Sequence, residues 1–333
     1  MRSETPTVAL LPAFVGPALI AVYLLTMQGP SDGCFRPLAN PNSKVTADWS
    51  ELVSYSPPLA LNLPPEVVEV LKIKENGYGP RINLDYYSIT FTKHPTLSPS
   101  AFFLQMRLAF SSFVAGSTFE NRFLPYEDSA QPNDPVRKRN DEAWHTAEPL
   151  GAVMSFVLKS IGLSYTNSLL YFVAEQGDVI VGCSTPTDFI FTTLKTKANG
   201  YHPVAGNRGF GLKDNGDSTW TFYTKGADRE VAVYGTRKAS NFIAKKDVDA
   251  ADSEEAVFIL GHRFWLRFFP EVITYLEKQN MKVIQGSFIK NNSHRYPYPL
   301  TAPEALAAAP VLRARRYPQP PTASAGVNRP SDR

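Results

Sequence analysis

The chain opens with a long run of apolar residues. Residues 8–27 read VALLPAFVGPALIAVYLLTM and carry no charged side chain. About 20 apolar residues are enough to span a bilayer as a helix, and the apolar part of a cleaved secretory signal is usually shorter. Arg2 and the terminal amine outweigh Glu4 ahead of this run, which favours a body on the outer face. The pattern predicts a signal or anchor segment over residues 1–30.

Four interpretations of this segment are open. The length of the run favours an uncleaved membrane anchor, and a cleaved signal ending at Ser31-Asp32-Gly33 is the second interpretation. A lipoprotein that starts at Cys34 is the third, although Ser31 and Asp32 replace the aliphatic and small residues usual at such a site. A buried core segment is the fourth. We expect a body that is secreted or membrane-anchored on the outer face, with the membrane as a partner through residues 8–27.

Polar positions dominate the stretch that follows. Residues 31–65 are rich in Pro, Ser and Asn, and they are predicted to form a linker or an extended edge. Residues 66–74 follow a Pro-Pro pair and repeat apolar side chains at helical spacing, which predicts a short helix.

The next elements have clearer boundaries. Residues 82–93 (INLDYYSITFTK) are rich in β-branched and aromatic side chains, which predicts a strand. Ser98 and Pro99 suit the cap and first position of a helix that runs to about Val114. The polar residues 131–141 predict an exposed loop that closes a helix–strand–helix subdomain over residues 66–130.

From Pro149 onward, short apolar runs alternate with turn residues, as in a β meander. The predicted strands cover residues 151–158, 169–174, 179–183, 189–194, 209–212 and 219–224. Residues 175–178 and the pair Asn215-Gly216 predict two hairpin turns between these strands.

A long amphipathic helix follows the meander. Residues 252–255 (DSEE) are typical of a helix start, and apolar residues recur at helical spacing to about Gln279, with Pro270 expected to split or bend the helix. Residues 282–285 predict a last strand, and residues 301–333 a disordered tail. The pattern predicts an α+β fold: an antiparallel β meander packed against amphipathic helices, with sheet and long helix over residues 141–300.

Charge narrows the class of partner. The formal net charge is +3, but the tail from Thr301 carries five arginines against two acidic residues, so residues 1–300 are neutral. A neutral body lacks the broad positive field that nucleic-acid binding needs, and a nucleic-acid partner is not favoured.

The two cysteines, Cys34 and Cys183, are too few for a disulfide framework or a Cys-based zinc site. One disulfide is compatible with an exported body. The favoured interpretation is a free Cys34 in a flexible stretch and a buried Cys183 on a strand.

The densest polar cluster brackets one predicted hairpin, with YHPVAGNR at residues 201–208 and KGADR at residues 225–229. Paired strands would bring both groups to the same open end of that hairpin. The candidates for catalysis are His202, Arg208, Asp228 and Arg229. The candidates for binding are Tyr201, Asn207, Lys225 and His145.

These residue types suit hydrolysis of a phosphodiester or an acyl group. A histidine supplies a general base or acid near neutral pH, and arginine and lysine stabilise an anionic transition state. The favoured alternative is structural: a turn at Gly206-Asn207 and a surface ion pair at Asp228-Arg229. No metal and no cofactor is predicted, because no histidine pair has metal-ligand spacing and no phosphate or dinucleotide motif is present.

Three functions follow from the sequence. The leading hypothesis is an exported or membrane-anchored domain that binds an apolar small ligand or a protein partner. The second is a secreted hydrolase, a toxin-like effector acting on phosphodiesters. The third is a structural subunit of an assembly. The sequence does not decide whether the chain is an enzyme.

Overall fold

The computed structural model describes residues 33–58, 61–117, 121–129, 133–163, 170–231 and 250–300. The apolar run at residues 8–27 and the tail at residues 301–333 lie outside these ranges, so the predictions for both stay predictions. Within the described ranges, no helix is both long and apolar enough to cross a bilayer.

An antiparallel sheet forms the frame of the fold. Its described strands are β1 (Val67–Val70), β2 (Arg81–Thr92), β3 (Arg122–Pro125), β4 (Val153–Leu163), β5 (Leu170–Ser184), β6 (Asp188–Thr196), β7 (Gly200–Tyr201), β8 (Val204–Asp214), β9 (Thr219–Glu230) and β10 (Ile289–Pro297). Along the sheet the order is β10-β2-β9-β8-β6-β5-β4-β3, and β1 and β7 also pair with β6.

Three of the described helices cover one face of this sheet. The described helices are a 3₁₀ helix (Thr46–Trp49), α1 (Ser50–Ser54), α2 (Ile73–Asn76), α3 (Pro99–Leu108), α4 (Phe110–Ser117), α5 (Pro135–His145) and α6 (Ala250–Lys278). Side chains of α3, α4 and α6 share one core with the sheet. The predicted α+β class, an antiparallel sheet packed against helices, is therefore confirmed.

Aromatic rings fill the core between helices and sheet. The Phe110 ring lies at its centre, 4.8 Å from the ring centroid of Phe123 and 5.1 Å from those of Phe210 and Phe268. Ring pairs at such separations add to the free energy gained by burying their area. The helix layer is thereby fixed to the sheet around one aromatic cluster.

Residues 33–58, here called the strap, cover the opposite face of the sheet. Trp49 and Leu52 of the strap are fully buried. The indole Nε1 of Trp49 donates to the backbone carbonyl of Asp85, at 3.1 Å. A segment predicted to be a linker or an extended edge is thus a packed layer, because its few large apolar residues bury against the sheet.

A disulfide joins Cys34 of the strap to Cys183 of β5, with 5.8 Å between their Cα atoms. The expectation of two free cysteines is therefore wrong. Cys34 is buried together with Phe35 and Leu38, which places its sulfur against the sheet. The spacing of the two cysteines in the sequence does not reveal this tertiary contact.

Both faces of β2 are buried as a result. Ile82, Leu84 and Tyr86 pack against the strap, and Tyr87, Ile89 and Phe91 pack against the helix layer. Successive side chains of a strand point to opposite faces, so a strand covered on both sides is apolar at nearly every position. The polar Asn83 and Asp85 interrupt this pattern on the helix side.

Several predicted elements match the structure closely. Ser98 caps α3 by accepting a hydrogen bond from the Ala101 amide, at 3.2 Å. The β8–β9 hairpin turns at Gly216, whose φ is +80°. Helix α6 spans 29 residues and continues through Pro270, so of the two predicted effects of this proline, a split or a bend, the split does not occur.

Two other predictions are wrong. Residues 66–74 form strand β1 and the short α2 because the valines pair with β6, Val67 lying opposite Thr196. Most of the loop predicted at residues 131–141 is helix α5, which begins with Asp134 as cap and Pro135 at its first position. These are the same start signals as in α3, and they outweigh the polar composition.

The predicted hairpin at residues 175–178 is absent, and β5 runs continuously through it. Gly177 lies opposite Phe156 of β4, and Asp178 accepts a hydrogen bond from Ser155 at 2.6 Å. The expected strand at residues 282–285 is reduced to a bridge between Val283 and Phe91, and the described strand nearest the tail is β10.

We predict that the disulfide contributes strongly to stability. The two cysteines are 149 residues apart, and removing a long cross-link releases chain entropy in the unfolded state. A Cys34→Ala/Cys183→Ala variant should lose about 2–5 kcal/mol in urea unfolding.

The matched comparison is the wild-type protein with and without reductant. The same loss is expected on reduction, and the double variant should not respond to reductant. Equal urea midpoints for oxidised and reduced wild-type protein would show that the strap is held by packing alone.

Candidate functional site

A cavity of about 150 Å³ lies between the first half of α6 and strands β2, β4, β5, β6, β8 and β9. Its walls are mainly apolar, and they include Phe156, Leu158, Phe191, Val257, Phe264 and Trp265. Polar side chains are concentrated on β2, β8 and β9, so the cavity has an apolar body and a charged end.

A glycine on α6 forms part of the cavity wall. Helical spacing places Gly261 on the same stripe as Phe264, Trp265 and Phe268, which pack in the core with the sheet, and as Val257, which lines the cavity. A Cβ built at Gly261 would meet no atom within 4 Å. Gly261 lines the cavity, so a side chain at this position would extend into open space.

Arg208 of β8 is the central group of the charged end. Its Nη2 lies 2.7 Å from Oδ2 of Asp85 and 3.9 Å from Oδ2 of Asp228. Its guanidinium carbon lies 4.3 Å from the ring centroid of Trp265. Burial by itself would lower the pKa of Arg208. The nearby charges of Asp85 and Asp228 have the larger, opposite effect and raise this pKa above its ordinary value, so the guanidinium stays charged.

Two carboxylates lie beside this guanidinium. Burial, followed by the charge of Asp85, raises the pKa of Asp228. Asn83 donates to both acids, at 3.2 Å to Asp85 and 3.3 Å to Asp228. The remaining oxygen of Asp85, Oδ1, accepts no hydrogen bond from any residue that the structure describes, although Asp85 is only 3% exposed.

Two glycines make room for this cluster. In the β8–β9 ladder, Arg208 lies opposite Gly226 and Asp228 lies opposite Gly206. A Cβ at Gly226 would fall 2.2 Å from the Arg208 guanidinium and 2.7 Å from Oδ1 of Asp85. A Cβ at Gly206 would fall 2.2 Å from the backbone oxygen of Ala227. Arg208 thus occupies space that a side chain at position 226 would block, and Gly206 allows β8 to lie close to the backbone of β9.

His202 also lines the cavity, away from the carboxylates. Its Nδ1 lies 3.0 Å from the backbone oxygen and 3.1 Å from the backbone nitrogen of Val204. Its ring lies against Gly177, where an added Cβ would come within 2.3 Å of it. Burial lowers the pKa of His202 to about 4, so its imidazole is neutral near pH 7.

The structure separates the predicted site residues by sheet face. His202, Arg208 and Asp228 line the cavity. Lys225 faces the strap instead, where its Nζ donates to the carbonyl of Arg36 at 3.1 Å. Burial lowers the pKa of Lys225 to about 8. Because side chains alternate along a strand, residues that share one hairpin end divide between two faces.

The side chains of Arg229 and Asn207 also face away from the charged end, although Asn207 is among the residues that line the cavity. Arg229 donates from Nη1 to the carbonyl of Ile73 at 3.0 Å and lies over the Tyr298 ring. The Asn207 side chain donates to the carbonyl of Leu52 in the strap, at 2.8 Å. Both act as structural links between the sheet and the segments beside it.

Tyr201 and His145 lie outside the charged end as well. The hydroxyl of Tyr201 accepts a hydrogen bond from Lys195 at 3.0 Å. His145 ends α5, where its Nδ1 lies 2.7 Å from the backbone oxygen of Asp141 in an exposed position. The predicted binding residues therefore do not assemble into one site.

The sequence prediction missed Asp85, Asn83 and Trp265. Polar residues at alternate positions of an otherwise apolar strand were the available signal for Asn83 and Asp85, since they mark one face of β2. Trp265 had no such signal, because its role depends on which side chain of β8 it covers. Among the described residues, no group of His, Cys, Asp and Glu is arranged to hold a metal ion.

No protein-family model matches the sequence, and no curated protein matches it. Solved structures resemble the fold only weakly, and three of them are described below. The di-domain aromatase/cyclase StfQ of steffimycin biosynthesis has a TM-score of 0.32 at 6% identity over 59% of this chain and 52% of its own. This chain therefore spans about half the length of StfQ.

The second similar structure is the Zhui aromatase/cyclase from a Streptomyces species, with a TM-score of 0.32 and 8% identity over 60% of this chain and 96% of its own. The third is Ara h 8.0201, with a TM-score of 0.28 and 6% identity over 57% of this chain and 99% of its own. Similarity at this level transfers no activity and no ligand to the present chain.

We predict that the glycines beside the charged cluster cannot carry a side chain. Gly206→Ala should cost about 3 kcal/mol, since its Cβ meets backbone that cannot move away. Gly226→Ala should cost about 1–2 kcal/mol, because the Arg208 side chain can shift. Urea unfolding measures both.

The control is Gly261→Ala, whose Cβ meets open space on a helix. It should be neutral or stabilising by up to about 1 kcal/mol, because alanine is the better helix former. Equal stability of Gly206→Ala and Gly261→Ala would contradict the tight packing of β8 against β9.

Proposed function

We propose that this chain binds a small, mainly apolar molecule in the cavity between α6 and the sheet. The observation that carries the proposal is the empty space beside Gly261, in an interface that is otherwise packed with aromatic rings. Protein interiors are normally close-packed, so a void that is lined by apolar walls and ends at buried charges is suited to a ligand.

The size of the cavity limits the ligand. Apolar cavities of about 150 Å³ in other proteins stay free of water and take up molecules the size of benzene. The present cavity has a similar volume. Its occupant would therefore be a one-ring or short-chain compound, with its apolar part against Phe264 and Phe191 and its polar group toward Asp85 and Arg208.

The hydrolase hypothesis receives less support from the geometry. It requires His202, Arg208, Asp228 and Arg229 in one cleft, and Arg229 is bound to backbone carbonyls on the other face of the sheet. A histidine with a pKa of about 4 is a weak general base at neutral pH. Binding without catalysis needs neither group.

The test is a comparison of cavity-filling variants on the full chain. Wild-type protein is titrated with toluene and ethylbenzene, and binding is followed by calorimetry and by the shift in melting temperature. A bound ligand stabilises the folded state by mass action, so saturating toluene should raise the melting temperature. Gly261→Leu should abolish the shift, because its side chain fills the cavity.

Gly261→Ala is the matched control, since it adds one methyl group at the same position and should keep most of the binding. Urea unfolding without ligand checks that both variants are folded. Absence of binding to wild-type protein by any one-ring compound, or unchanged binding to a folded Gly261→Leu, would refute the proposal.

We also propose that the body is exported and stays anchored or is released on the outer face. The Cys34–Cys183 disulfide supports this location, because disulfides persist mainly in oxidising compartments. The uncharged run at residues 8–27 supplies the targeting segment.

In intact cells that express the full chain, external protease should digest the body, and thiol alkylation should find both cysteines oxidised. Deletion of residues 8–27 is the control, and it should leave the body protected and its cysteines reduced. A protected body with free thiols in the full chain would contradict the proposed location.

A further inference from the structure

Two of the three charged side chains at the polar end of the cavity are accessible. The Arg208 side chain is 14% exposed and the Asp228 side chain 15%, whereas the Asp85 side chain is only 4% exposed. Arg208 and Asp228 both line the cavity, on the face of the sheet that α6 covers. A ligand in the cavity can therefore reach Arg208 and Asp228, and Asp85 lies behind them as the partner of Arg208.

Asp85 and Trp265 hold the guanidinium of Arg208 in one orientation. Nη2 of Arg208 donates to Oδ2 of Asp85 at 2.7 Å, and the guanidinium carbon lies 4.3 Å from the ring centroid of Trp265. The N–H groups of a guanidinium lie in its plane, so a ring over its face leaves them able to donate. Nη2 carries two hydrogens, and the bond to Asp85 uses one of them. The second hydrogen is the donor that a ligand would meet.

The separation between Arg208 and Asp228 selects the ligand group. Nη2 of Arg208 lies 3.9 Å from Oδ2 of Asp228, which is too long for a direct hydrogen bond. One oxygen atom at about 2.8 Å from each would fit between them, accepting from Arg208 and donating to Asp228. A hydroxyl group combines an acceptor and a donor on one atom in this way. An ammonium group has no acceptor, and a carboxylate or an ether has no donor.

The surrounding charges favour a neutral group at this point. The positive charges of Arg208 and Arg295 both act on Asp228, and Arg295 is itself paired with Glu255. Asp85 is paired with Arg208. A charged ligand group would bring a further charge into a site of low exposure, at a cost in desolvation that a hydroxyl does not incur.

We propose that the ligand of this cavity is a small neutral hydroxyl compound, such as a phenol, whose hydroxyl bridges Arg208 and Asp228 and whose ring or chain lies in the apolar body. This inference rests on the proposed function, because it names the chemical class of the molecule that the cavity binds. Both hydrogen bonds of the hydroxyl have a charged partner, and such bonds are stronger than those between neutral groups.

The experiment compares two pairs of one-ring compounds of matched shape on the full chain: phenol with toluene, and anisole with ethylbenzene. Calorimetry gives the dissociation constants at pH 8, since burial raises the pKa of Asp228 and the higher pH favours its ionised form. We expect phenol to bind at least about tenfold tighter than toluene, because its hydroxyl bonds to two charged groups. Anisole should bind no tighter than ethylbenzene, because its oxygen has no hydrogen to donate to Asp228.

Asp228→Leu tests the origin of the preference, because leucine is of similar size and cannot accept a hydrogen bond. The variant should bind phenol no tighter than toluene and should keep its affinity for toluene. The matched control is Asp214→Leu, which makes the same change at the exposed end of the β8–β9 hairpin and should leave all four affinities unchanged. Urea unfolding checks that both variants are folded.

The outcomes separate the two proposals. Binding of phenol no tighter than that of toluene, or an equal gain of anisole over ethylbenzene, would overturn the hydroxyl inference and leave the cavity-binding proposal standing. Failure of all four compounds to bind would refute the proposed function itself. If Asp228→Leu does not fold, the two pairs of affinities on wild-type protein still decide the question.

Discussion

Burial of the sheet on both faces is the constraint on which the rest of the structure depends. The strap covers one face and α3, α4 and α6 cover the other, so the central strands have no solvent-exposed side. A strand in this position must be apolar on both faces or must satisfy each polar side chain internally. The disulfide between Cys34 and Cys183 fixes the strap in place and so maintains this arrangement.

The charged cluster is an exception to this rule, and it stands out for that reason. Arg208, Asp85 and Asp228 are buried within an otherwise aromatic interface, where ionic groups are stable only with close partners. Gly206 and Gly226 give these side chains their space. Replacing such a buried ion cluster by apolar residues is often neutral or stabilising, so stability of the fold alone does not require it.

In the proposed function, the cavity and the charged cluster form one binding site with two different ends. The apolar end depends on Gly261, which leaves α6 short of a side chain at the point where the helix faces the sheet. The polar end is formed by Asp85, Asp228 and Arg208. Apolar shape would set which molecules fit, and the charge of the far end would set their orientation and their class.

The sequence by itself determined the elements with strong local signals. Ser98-Pro99 begins a helix, Asn215-Gly216 turns a hairpin and the spacing of apolar residues defines α6, because caps, turns and amphipathic stripes are fixed by neighbouring residues. The same reasoning fixed the class of fold. It also identified Arg208 and Asp228 as chemically notable, although it grouped them with Lys225 and Arg229.

Tertiary structure decided what local signals cannot encode. The alternation of β9 divides Asp228 from Lys225 and Arg229 between two faces, and only the pairing with β8 and β2 shows which face meets α6. The strap has the composition of a linker, yet it is ordered by Trp49 and a disulfide to a residue 149 positions away. The cavity arises where Gly261 meets β-strands that are distant in sequence, because an empty space is a property of the packed interface and not of any one segment.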